Sequence, residues 1–144
     1  MNLIDWKDCL DEDCVIEVSV NREKANALFK TALARIEFLE KNKIDESSVS
    51  FIFEGFYSSA LEILHAIIIL NGFKVNNHIC LGFFLRDEIN RSDLFRKFDD
   101  GRYKRNSLMY FGKDMDYSVG KDSLENIEFL IEELKKIFEE KKNE

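Results

Sequence analysis

Arg102, Arg105, Asn106 and Tyr110 lie within nine residues of one another, and they are the groups best placed to do chemistry. Two guanidiniums beside a carboxamide and a phenol offer donors to a small anion or a short RNA. On a helix from Ser92 to Phe111, advancing about 100° per residue, Leu94, Phe98, Gly101, Leu108 and Met109 form one apolar stripe. Arg105 projects from the middle of that stripe, Arg102 stands on its edge and Asn106 lies just beyond. A dry, unpaired guanidinium costs roughly several kcal/mol, so Arg105 needs either a partner or a wet cleft. The first case is a buried ion pair that fixes helix register, and the second is a site. Glu62 on the central helix is the carboxylate expected to face Arg105. His65, one turn further on, reads as a hydrogen-bonded core histidine rather than a general base. His78 is expected to stabilise a helix start or to meet a neighbouring helix.

The elements that position these groups follow from periodicity. Residues 1–20 read as a peripheral arm: a short helix over Asn2 to Leu10 anchored by Leu3, Ile4 and Trp6, a break at Asp11-Glu12-Asp13, then an extended Cys14 to Val20. Residues 21–144 read as the helical domain. Asn21 to Lys41 repeats apolar residues at threes and fours, and Asp45 or Ser47 can cap a second helix over Ser47 to Asn71. That helix is apolar nearly all round between Ala60 and Leu70, which requires neighbours on several sides, and Gly72 supplies its stop. Asn76 or Asn77 can cap a helix over His78 to Ile89. Ser92 opens the arginine-bearing helix, and Lys113 to Lys121 reads as a polar loop. Asp122-x-x-Glu125 has the form of a capping box for a last helix to Lys141, with Leu124, Ile127, Leu130, Ile131, Leu134, Ile137 and Phe138 inward. The expected fold is all-α: an antiparallel four-helix bundle with one additional short helix.

Composition narrows the function classes. The chain has 144 residues, no proline and 13 Phe, enough for one domain with its own core. A net charge of −7 argues against an extended DNA footprint. The segment from Arg86 to Arg105 nevertheless carries seven basic residues against five acids, a local +2 that leaves −9 elsewhere. The three cysteines lack metal-ligand spacing and only two histidines are present, so neither a metal nor a cofactor is expected. An odd, sparse cysteine count fits a reducing compartment. Asp5, Lys7 and Asp8 interrupt the first ten residues, and Ile63 to Leu70 is too short to span a bilayer, so a cytoplasmic protein without a membrane segment is expected.

The string Gly-Arg-Tyr-Lys-Arg-Asn-Ser-Leu-Met-Tyr, Gly101 to Tyr110, resembles the signature of HEPN domains, the higher eukaryote and prokaryote nucleotide-binding proteins. Members carry an Arg, often followed by Asn, and a His four to six residues later. Tyr57 through Gly72, Lys74 and His78, followed by an apolar helix, is similar to the family's Tyr-rich central helix, its Gly-x-Lys turn and its following His. The likeness runs over about Asn21 to Phe138. It implies a bundle that forms a homodimer, with the two arginine-bearing helices beside a shared cleft. It also implies a minimal nucleotidyltransferase as partner, in a toxin–antitoxin pair. In active members the Arg would stabilise a pentavalent phosphorane while the His moves protons and the RNA 2′-OH attacks.

Carried over by position, Arg105 takes the Arg place, Asn106 the Asn place, and Tyr110 stands where His is expected. A phenol with an ordinary pKa of about 10 is a poor base at neutral pH, although it can orient a phosphate or stack on a base. About 140° of helix rotation also separates Arg105 from Tyr110. The resemblance therefore implies a nucleotide- or RNA-binding member with weak or no catalysis, its ligand held by Arg102, Arg105, Asn106 and Tyr110. Two alternatives stand beside it. One is an active metal-independent endoribonuclease using Arg105 with Tyr110 or His65, and the other is a structural helical module whose partner is another protein.

Overall fold

The computed structural model describes residues 2–111 and 115–144, with side chains described outside 109–114. Its fold is all-α with a small two-stranded ribbon. In order come α1 (Trp6–Asp11), β1 (Val15–Glu17), α2 (Arg22–Glu40), α3 (Val49–Leu70), β2 (Phe73–Val75), α4 (His78–Phe83), α5 (Ser92–Phe111) and α6 (Tyr117–Lys142). α3 is the central element, packed between α2 and α6, with α5 lying against both α3 and α6. Its length and composition would suffice to cross a membrane, but 67% of its most apolar window is buried inside the fold. That apolarity serves the core.

The helix boundaries have local causes. Asn21 caps α2 by accepting the Lys24 amide, and Asn77 caps α4 by accepting the Ile79 amide. Before α3, Asp45 Oδ1 accepts from the Ser47 and Ser48 amides, while the Ser48 hydroxyl donates to the Lys43 carbonyl. α3 stops where Gly72 takes φ +81°, and the Gly72 carbonyl accepts from Val18 N at 2.8 Å. One glycine thus ends the core helix and holds the strand lead-in against it.

Residues 1–20 are not a peripheral arm: Trp6, Cys9 and Val15 are buried, and β1 pairs antiparallel with β2 in the register Val15↔Val75, Ile16↔Lys74, Glu17↔Phe73. Trp6 packs edge-on against Phe73 and Phe84, its amide donates to Asp87 Oδ2, and Arg86 donates to the Ile4 carbonyl. Cys9 and Cys80 form a disulfide and Cys14 is the free thiol, which removes the cysteine argument for a reducing compartment. Finally, α6 begins at Tyr117, so Asp122 lies within the helix rather than at its cap. Gly120 is buried there, directly against Val49 of α3, where any side chain would collide. A face made of glycine and polar neighbours gives no apolar period, and for that reason the segment reads as a loop.

The expected helix over His78 to Ile89 splits in two. After α4 the backbone widens into a π-helical turn over Phe84–Glu88, closed by Ile89 N donating to Phe84 O, and Asn90 turns the chain at φ +63°. In α5, Leu94, Phe98 and Gly101 are buried and Leu108 packs against the core. Met109, the last residue of the expected stripe, has its side chain outside the described residues.

Candidate functional site

Gly101 sets the geometry of the arginine face. A Cβ built there would lie 3.2 Å from Ile127 Cδ1 and 3.5 Å from Tyr57 Cδ2, so a hydrogen at this position lets α5 press directly on the Tyr57 ring. One turn later on the same side comes Arg105. Its guanidinium carbon sits 5.9 Å from the Tyr57 ring centroid, within cation–π range. Tyr57 is fully buried and stacks between Phe53 and Phe98, which fixes the plane under the arginine.

Neither polar atom at this contact is satisfied. The Tyr57 hydroxyl and Arg105 Nε are both buried and lack a hydrogen-bond partner among the described residues. Each such group costs about 1–3 kcal/mol. Burial pushes the Tyr57 hydroxyl up to about 12, against the opposing pull of the Arg105 and Arg102 charges. The phenol is therefore a neutral donor and acceptor at any physiological pH.

The expected Glu62–Arg105 pair is not formed. Glu62 is held instead by Arg35 of α2, which also donates to Ser59 Oγ. The reason is placement: Glu62 and Ser59 lie on the side of α3 that meets α2, and α2 supplies its own arginine. Among the described residues no carboxylate forms an ion pair with Arg105. Arg102 pairs with Asp99 one turn back on α5 at 2.9 Å, with both side chains partly exposed, so that pair fixes a rotamer more than it adds stability.

His78 is the first residue of α4. Partial loss of water holds its imidazole below the ordinary value, and the charges of Arg105 and Arg102 lower it further. The charges of Arg102 and Arg105 thus act on both Tyr57 and His78. Asn106 is half-buried beside Arg105. Tyr110 belongs to α5 by its backbone, but its side chain lies outside the described residues.

Glu62 and His65 belong elsewhere. Both line a cavity of about 400 Å³ bounded by α2, α3 and the ribbon. Burial lowers the His65 pKa, and the nearby His78 and Lys24 add to that shift. Glu62 and His65, expected beside Arg105, thus lie apart from it. Gly101, four residues before Arg105, is the signal that a large ring lies beneath it.

No group of three His, Cys, Asp or Glu among the described residues is arranged to hold a metal ion. Comparison with protein-family models, with curated proteins and with solved structures gives no significant match.

Proposed function

We propose that this chain is a HEPN-like helical-bundle protein that holds a nucleotide or a short RNA by its phosphates on the face formed by Arg102, Arg105 and His78. The observation that carries the reading is the unsatisfied pair at the Arg105–Tyr57 contact, where no carboxylate among the described residues neutralises the guanidinium. A structural ion pair would supply an acid, whereas a phosphate site leaves the acid out and lets the ligand bring the charge. In this reading two copies meet at their α5 faces, and a minimal nucleotidyltransferase is the expected partner. The depressed His78 is neutral at pH 7, so it accepts or donates one hydrogen bond to the ligand without charge repulsion from the arginines.

Catalysis by this face is weak or absent. Tyr57 cannot act as a base with its hydroxyl pushed up to about 12. His78, whose imidazole feels the Arg105 and Arg102 charges, is the remaining candidate for proton transfer, and a metal-independent ribonuclease built on Arg105 and His78 is the second reading.

Labelled oligoribonucleotides titrated against the protein, with and without EDTA, test both readings. Binding without cleavage, weakened about tenfold or more by Arg105→Ala, is the expected result, as loss of one charge-assisted phosphate contact requires. Cleavage in EDTA that Arg105→Ala abolishes establishes the enzyme instead. Binding unaffected by Arg105→Ala removes the site.

A further inference from the structure

The cavity that takes Glu62 and His65 is separate from the arginine face and has a chemistry of its own. Leu28 of α2, Ile68 and Ile69 of α3, and Phe73 and Val75 of β2 belong to its mainly apolar lining. Its polar side is basic: Lys24 in the first turn of α2 and Lys74 on β2 stand at the mouth, with His65 deeper in. Glu62 is the acid on the wall, and Arg35 already holds it. The cavity of about 400 Å³ lies in the range of clefts, about 300–1,000 Å³, that enclose small organic ligands.

We propose that this cavity is a second binding site, taking an amphipathic organic anion whose apolar body lies on Leu28, Ile68, Ile69 and Phe73 and whose acidic head meets Lys24 and Lys74. Charge complementarity selects the head. With Glu62 engaged by Arg35, the lining offers Lys24 and Lys74, which form no ion pair among the described residues, and a neutral apolar molecule leaves both ammonium groups without a partner. Apolar area selects the body. A bare inorganic anion gains nothing from a floor of isoleucines, so neither half of the ligand suffices alone. The His65 imidazole lines the same cavity. An anion there reverses the local field, since Lys24 and His78 now push its protonation down.

The test uses 8-anilinonaphthalene-1-sulfonate fluorescence on the full chain, with competition by decanoate, decyl phosphate and decanol. Decanoate or decyl phosphate should displace the dye at least about tenfold more tightly than decanol, and the better of the two names the head group. Lys24→Met/Lys74→Met, at two exposed positions, should weaken the anions by a similar factor and leave decanol unchanged. Ser19→Trp at the exposed lip should block all three. In the same protein, adding the better competitor should raise the His65 pKa read by NMR. Equal displacement by decanol, an unmoved His65, or dye binding indifferent to Ser19→Trp would each overturn the proposal. Arg105→Ala must leave these results intact, which separates failure here from failure of the phosphate face.

Discussion

The Arg105 guanidinium lies above the buried Tyr57 ring at 5.9 Å, and each residue keeps a buried polar atom without a partner among the described residues. An arginine fixed by an acid and an arginine awaiting an anion respond oppositely to mutation. Arg105→Met removes an unsatisfied donor, so equilibrium unfolding should show stability unchanged or raised by about 1 kcal/mol. A loss of about 3–5 kcal/mol, the usual result of stripping one partner from a buried ion pair, would restore the structural reading.

Arg35 should behave in the other way. Its removal leaves Glu62 half-buried without its cation, so Arg35→Met should cost about 1–3 kcal/mol. Replacing Glu62 by Gln in the same protein should recover part of that cost. Additive losses in this double-mutant cycle would show that the two side chains are not coupled.

Protonation gives a third test. His65 and His78 are both held below their ordinary value, so the unfolded chain binds more protons than the folded one over the interval between the two values. Their contribution to stability is complete above about pH 6.5 and is lost as pH falls through the lowered folded values. Unfolding free energy measured from pH 8 to 5 should therefore decline toward acid. His65→Gln should flatten that decline, because His65 is the more enclosed of the two. An unchanged slope would place the proton uptake elsewhere.

The Cys9–Cys80 disulfide closes a span of 71 residues and ties α1 to α4. The chain-entropy model assigns such a loop about 4 kcal/mol. Thiol titration of the folded, oxidised protein should find one reactive cysteine, Cys14, and three after reduction. Cys9→Ser should shift the emission of Trp6, the chain's single tryptophan, as α1 loosens from Phe73 and Phe84. Unaltered emission would mean that α1 docks without its covalent tie.

The long helices are legible because apolar residues such as Ala25, Phe29, Ala32 and Ile36 of α2 recur at helical spacing and fall on the buried face. The first turns of α6 are not, because Gly120 packs by lacking a side chain and Tyr117 to Lys121 otherwise reads as polar. The role of residues 1–20 is hidden for a different reason. Trp6 and Cys9 are anchored by Phe73, Cys80 and Phe84, and pairings about 70 residues apart leave no local pattern. At the site, helix phase brings Arg102 and Arg105 to one side of α5. It cannot say which neighbour meets them, so Glu62 was the expected partner although it faces Arg35, and Tyr57 lies beneath Arg105 instead.

Anion binding beside Arg105 changes the field felt by the His78 imidazole. With only two histidines in the chain, His65→Gln assigns the His78 imidazole signal in a proton NMR titration. Adding hexauridylate to the wild type should raise the His78 pKa, because phosphate charge offsets Arg105 and Arg102. The same addition to Arg105→Ala should move it little. Identical His78 titrations of the wild type with and without the oligonucleotide would contradict a phosphate site on this face.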